Sequence, residues 1–324
     1  MTTRQGRKGH RSATPGAVPA RIRAVGLLAA FVGGGLVAIQ SRINGALGTR
    51  LHNGLVAALI SFGSGLVVLV IVLLAHRGTR SQLTAVRAAV RGRRLVWWQL
   101  LGGLSGAFVV TAQGVAVTVI GVATFTVALV GGQLLSSLWV DRIGLGPAGT
   151  APITWGRAVG AAIALVAVVI ASSGGLTGGW SSYVLALLPA IAGFGMAWQQ
   201  AVNGRVGTVG GPVVAAFINF CVGTAALVVA AVVSLLISGP PAGLPGNPWL
   251  YLGGFLGVLY IGASALIVRW TGVLLLGLTA IAGQLVGSVV IEVVAPTGAG
   301  LTVVDLVGCV LTLVGVAVAA LARR

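Results

Sequence analysis

The chain has 324 residues, of which 57% are hydrophobic and only 7% charged. Its mean hydropathy of +1.07 excludes a soluble domain of this size and points to a membrane protein with several spans. The net charge of +17 does not imply nucleic-acid binding, because six basic residues lie in 1–23 and six between Arg77 and Arg94, as expected of cytoplasmic segments.

In chain order, residues 1–22 are polar and basic and predict a disordered cytoplasmic tail. Apolar segments follow at 24–46, 54–75, 95–117, 120–140, 156–173, 182–203, 212–237, 248–268, 271–292 and 301–321, which makes ten spans. Gly-rich apolar runs of roughly 20 residues predict helices rather than barrel strands. The expected class is therefore an all-α integral membrane protein. With the N-terminus inside, the basic loop Arg77–Arg94, Arg142 with Arg157, Arg205, Arg269 and the closing Arg323–Arg324 all fall on the cytoplasmic side. Both termini are then cytoplasmic. Contact with anionic lipid headgroups follows from the same charges.

The first span has the basic lead and apolar run of a signal peptide, but it recurs in mid-chain. Ala38–Thr49, AIQSRINGALGT, aligns with Ala197–Thr208, AWQQAVNGRVGT, at six of twelve identical positions. Gln40 falls over Gln199, Asn44 over Asn203 and Gly48 over Gly207. AALISFGSG (57–65) then falls over AAFINFCVG (215–223), and WQLLGGLSG (98–106) over WLYLGGFLG (249–257). Further on, Gly121 meets Gly272, GGQL (131–134) meets AGQL (282–285), and Asp141 meets Glu292. A signal peptide has no reason to recur, so the first span stays. Each copy carries five spans, over 23–174 and 175–324. Five is odd, so the second copy enters the membrane upside down. The loop after the second span holds six Arg, while its counterpart SGPPAGLPGNP (238–248) holds none, as inversion requires. Inverted repeats are a mark of carriers that work by alternating access.

The repeated Q-x-x-x-N-G block and ten spans as two fives resemble the drug/metabolite transporter superfamily, and more narrowly its YdcZ-type branch. The resemblance covers roughly residues 24–321. It implies a bacterial cytoplasmic (inner) membrane protein, a 5+5 inverted bundle, and a substrate cavity lined by spans one, three, four, six, eight and nine.

Gln40 and Asn44 are spaced i, i+4 and share a helix face, as do Gln199 and Asn203. Amides in hydrocarbon either line a pathway or hold helices together. The inverted repeat places the two pairs towards opposite membrane faces. Gln113 and the repeat-equivalent Gln133 and Gln284 are further deep amides with the same two readings. Trp198, beside Gln199, reads as a substrate-stacking wall or as packing. Arg42 has no echo and reads as snorkelling to the outer interface. The chain has three acids, Asp141, Glu292 and Asp305. Asp141 and Glu292 are repeat-equivalent span ends. They are candidates for ion coupling or for interfacial structure, with Arg142 an available partner for Asp141.

Cys221 and Cys309 lie in apolar segments and read as packing residues. No His, Cys or acid spacing suits a metal, no phosphate loop is present, and no cofactor is expected. An enzyme lacks its parts, and an ion channel lacks a continuous polar lining. The remaining readings are a secondary transporter of small organic molecules, as exporter or facilitator, and a non-transporting assembly or regulatory subunit. The partners expected are a small neutral, amphipathic or weakly charged substrate, the lipid bilayer and a second copy of the chain in a homodimer.

Overall fold

The computed structural model describes residues 19–147, 149–150, 152–174, 180–241, 243–296 and 301–321. Among them helix is the only regular structure, as a lipid solvent demands of segments that must satisfy their own backbone polar groups. Seven of these helices are long and apolar enough to cross a membrane, and two shorter apolar helices, Trp155–Ala167 and Val303–Val318, accompany them. Large apolar side chains such as Val67, Ile71, Leu236 and Ile237 are exposed on the outside of the bundle, as suits a lipid-facing surface. The basic tail expected over 1–22 lies outside the described residues as far as 18. From Ala20 the chain is already helical. Arg323 and Arg324 also lie outside the described residues.

Helix α1 (Ala20–Leu51) ends in a left-handed residue, His52. Helix α2 (Gly54–Ala75) starts where the Asn53 side chain accepts hydrogen bonds from the Leu55 and Val56 amides, both at 3.1 Å. The basic segment that follows is helical, not the loop expected from its charge. Helix α3 (Arg77–Arg91) carries Leu83, Val86 and Val90 at helical spacing. That face packs on Val206, Val214, Ala215 and Ala265, while Arg77, Arg80, Arg87, Arg91, Arg93 and Arg94 stay exposed.

Helices α4 (Gly102–Ile120) and α5 (Val122–Arg142) are separated by Gly121, whose φ of 79° lets the chain turn back. Helix α6 (Trp155–Gly174) closes the first half of the chain. Helix α7 (Trp180–Ser238) breaks at Gly211 (φ 76°) into arms over 180–210 and 212–238, with Pro212 opening the second. Val86 of α3 would meet a side chain at Gly210, and Gln82 one at Gly211, so α3 covers this break.

Helix α8 (Gly253–Val294) is 42 residues long. A straight helix of that length would run about 63 Å, twice the hydrocarbon thickness. Its contacts with α1 show a reversal instead. Along the first arm, Gly253 faces Asn44, Gly257 faces Gln40, and Ile267 and Trp270 face Gly26, so this arm runs antiparallel to α1. Along the second, Leu276 clusters with Ala30, and Gly287 faces Gly35 and Ala38, so that arm runs parallel to α1. Helix α9 (Val303–Leu321) packs on α6, with Gly315 against Gly160. With α7 divided at Gly211 and α8 at its reversal, the helices follow the ten expected spans in order.

Contacts recur between equivalent positions. A Cβ at Gly34 would strike the Ala280 carbonyl, and one at Gly193 the Leu129 carbonyl. Reciprocally, Gly283 lies on Phe31 and Gly132 on Ala190. The same exchange relates Gly103 on Asn219 to Gly254 on Ser61, and Gly223 on Phe62 to Gly65 on Phe220. In each case an element of one half of the chain packs on the other half. Helix α4 runs alongside α1 in the same sense, from Gln113 beside Asn44 to Thr118 beside Thr49. It runs against the first arm of α7, with Gly102 at Asn203 and Gly106 at Gln199. Helix α1 and that arm therefore point in opposite directions.

Candidate functional site

The lining of the central cavity comes in equivalent pairs: Gln40 with Gln199, Phe62 with Phe220, Gly106 with Gly257, Val37 with Met196, Val110 with Ile261, and Val109 with Tyr260. Gln113 completes it. The space not filled by protein atoms is about 420 Å³, its mouth included. Phe62 and Phe220 form its aromatic wall, with ring centroids 4.8 Å apart and planes tilted by 31°. Spans one, three, six and eight contribute as the resemblance implied. The aromatic wall comes from spans two and seven, and spans four and nine line only the adjoining space. The side chains that face the cavity are uncharged.

The predicted amides separate into groups. Gln40 and Gln199 meet at this one cavity. Asn44 and Asn203 sit beyond it at opposite ends, because the helices carrying them run in opposite directions. On α4 their partners Gln113 and Gly102 are separated by about 16 Å of helix axis.

At the Asn44 end, Asn44 Nδ2 donates to Gln113 Oε1 at 2.7 Å, and Gln113 Nε2 donates to Ser41 Oγ at 2.9 Å. Thr49 donates to Thr118 at 2.9 Å on the same helix pair. At the Asn203 end, Asn203 Nδ2 and Gln199 Nε2 both donate to Asn219 Oδ1 at 2.9 Å. The two networks use different positions. The repeat puts the bridging amide on α4 at one end and on the second arm of α7 at the other. Ser264 stands where the repeat would place a counterpart of Gln113, and its shorter side chain leaves space. That space is an adjoining cavity lined by Gln199, Gln200, Asn203, Tyr260 and Ser264. Tyr260 borders both cavities, and its hydroxyl accepts a hydrogen bond from Gln200 Nε2 at 3.0 Å. Removing the amide at Gln113 should orphan Asn44 Nδ2 and leave Ser41 Oγ with only its bond to the Val37 carbonyl. Gln113→Leu is expected to cost about 1–3 kcal/mol of stability, read as a lower thermal unfolding midpoint in detergent.

Gln133 and Gln284 are buried, and in each both amide atoms lack a hydrogen-bond partner. Gln133 lines a third cavity with Ser137, Asp141 and Gln200. Gln284, Ser288 and Glu292 repeat the spacing of Gln133, Ser137 and Asp141, so each half carries one polar stripe at i, i+4 and i+8. Trp198 lies outside the central cavity and packs with Val140, Ala197, Ala201 and Leu145. Arg42 is half-buried, and its Nε is buried without a partner.

The acids are more buried than their positions at span ends suggested. Asp141 pairs with Arg157, not Arg142, at 2.5 Å, and Arg157 also donates to the Pro152 carbonyl. Glu292 accepts from the Val122 amide at 3.1 Å, at the positive N-terminus of α5. Asp305 accepts from Thr124 and Thr302, both at 2.6 Å. Arg205 donates to the carbonyls of Gly144 and Leu145 and secures the turn after α5. Among the described residues no group of three His, Cys or acidic side chains could hold a metal.

Sequence reading missed Tyr260, Phe62 and Phe220. The phenylalanines were visible as an aromatic repeated at the sixth position of AALISFGSG and AAFINFCVG. Tyr260 had no such signal, since its equivalent is Val109.

A membrane-crossing helical bundle around a cavity with polar ends and an apolar wall is an architecture that suits a membrane transport protein. The chain belongs to the family described as "Putative inner membrane exporter, YdcZ", whose model matches residues 25–170 and 184–318. No curated protein matches the chain. A solved crystal structure is similar in fold, with a TM-score of 0.60 and 22% sequence identity over 94% of this chain and 100% of that one.

Proposed function

We propose that the chain is a secondary transporter of small organic molecules, working by alternating access around the central cavity. The two bodies of five spans, 23–174 and 175–324, would be inverted copies, with both termini cytoplasmic and export the direction the family description favours. The observation that carries this reading is the lining of the cavity. Six equivalent pairs face it from the two halves, which is what a pathway on a two-fold axis in the membrane plane requires. The opposite directions of α1 and the first arm of α7 support the inversion. Gln40, Gln199 and Gln113 belong to the substrate site. Asn44 and Asn203 belong to the networks that close its two ends, Gln133 and Gln284 to the walls behind it. Asp141 and Glu292, each held by a partner, act as framework groups rather than as coupling groups.

The test locks one end. In a protein with Cys221 and Cys309 replaced by Ala, cysteines at Thr49 and Thr118 stand where two hydroxyls lie 2.9 Å apart, close enough for a disulfide. A third cysteine at Val109 reports on the cavity. In proteoliposomes the reduced protein should admit an impermeant maleimide to Val109→Cys from either side. After oxidation, labelling should persist only from the Asn203 side. Labelling from the Thr49 side that ignores the lock, or labelling from one side only before it, would sink alternating access.

A further inference from the structure

Gln40 is the one cavity amide left without work inside the protein. It is 7% exposed, lines the cavity, and its side chain makes no hydrogen bond to another described residue. Its neighbours each have a partner within the protein. Gln113 spends its oxygen on Asn44 and its nitrogen on Ser41. The Gln199 nitrogen is held by Asn219, and the Tyr260 hydroxyl by Gln200. Gln40 therefore offers a donor and an acceptor side by side, Nε2 and Oε1, next to the paired rings of Phe62 and Phe220, while Gln199 adds only the acceptor Oε1.

Resting on the transporter reading above, we propose that the cavity takes an uncharged, flat aromatic molecule bearing an adjacent donor and acceptor, a carboxamide or lactam edge, which pairs with the Gln40 amide while its ring lies against Phe62 and Phe220. The alternatives conflict with the site. An anion or cation would lose its hydration without meeting an opposite charge. A hydrocarbon would leave the Gln40 amide orphaned, and a site built around a hydrogen bond rejects the analogue that lacks it. An amide edge satisfies both atoms of Gln40 at once. The pairing is the one that lets Gln recognise the donor–acceptor edge of a nucleobase.

Benzamide and benzoate form the deciding pair, since they share shape and ring and differ in charge and in the donor. Binding of radiolabelled benzamide to the purified protein is measured with benzoate and acetophenone as competitors, in wild type and in Gln40→Leu. So small a probe binds at about millimolar concentration at ordinary ligand efficiencies. Benzamide should bind saturably, and benzoate and acetophenone should compete at least about tenfold more weakly, the weight of one lost hydrogen bond. Gln40→Leu should weaken benzamide by a similar factor. It should leave the unfolding midpoint unchanged or raised, because the amide it removes serves no partner in the protein. The proposal is overturned if benzamide does not bind, if benzoate competes equally well, or if Gln40→Leu binds benzamide as wild type does. It is also overturned if Gln40→Leu lowers the unfolding midpoint. The cysteine lock separates the two readings. A protein that passes it but ignores benzamide keeps the transporter reading and loses this one. A protein that binds benzamide with a static cavity does the reverse.

Discussion

Gly34→Leu is expected to abolish folding, and Gly34→Ala to cost more than about 4 kcal/mol, in the range reserved for overpacking against atoms that cannot move. The reason lies in what a Cβ would meet. At Gly34 it lands on the Ala280 carbonyl with the Gln284 backbone nitrogen behind it. Neither can swing away as a side-chain tip would, so the helices must part. Gly193 faces the same obstacle in the Leu129 carbonyl and the Gln133 nitrogen. Gly193→Ala should therefore match Gly34→Ala in size. Gly63 is the control. It lies within α2, and a Cβ there would have nothing within 4 Å, so Gly63→Ala should gain about 0.5–1 kcal/mol of helix propensity. Thermal unfolding of the three alanine variants in detergent decides the matter. If Gly34→Ala and Gly63→Ala behave alike, the close crossing is not what holds α1 to α8.

Arg157→Leu is the second large effect, expected to cost about 3–5 kcal/mol by leaving the Asp141 carboxylate buried and unpaired. Asp141→Leu strands the guanidinium and should cost as much. The double variant Asp141→Leu, Arg157→Met should recover most of the loss, since a buried ion pair gains little over apolar residues of similar volume. Arg142 is exposed, and Arg142→Gln should change stability by less than about 0.5 kcal/mol. Unfolding midpoints of the four variants test the assignment. A double variant as weak as the singles would mean that the ion pair does more than satisfy its own charges.

The Arg142 case also shows where sequence reading stopped. Positions 141 and 142 are neighbours in the chain, but successive helix residues point about 100° apart and do not face each other. The true partner, Arg157, comes from the next helix, and no periodicity within one segment can reveal it. The spans themselves were legible because a bilayer imposes length and apolarity on each. The equivalence of Gln40 with Gln199 and of Asn44 with Asn203 was legible because repetition needs no structure to be seen. What repetition did not reveal was depth. The glutamines converge at one cavity while the asparagines, one turn further along, end up at opposite ends. Helix α3 was hidden by its own charge. Six arginines read as topology, and the apolar positions Leu83, Val86 and Val90 between them went uncounted.

The glycine crossings fix how the molecule is divided. The first helix of each half is clamped at Gly34 or Gly193 to a helix of the other half, and reciprocally at Gly283 or Gly132. The halves are thus interlocked like clasped hands rather than set side by side. Each half offers backbone that closely fits the other's glycines. A shift of any one of these helices must therefore be met by backbone of the other half.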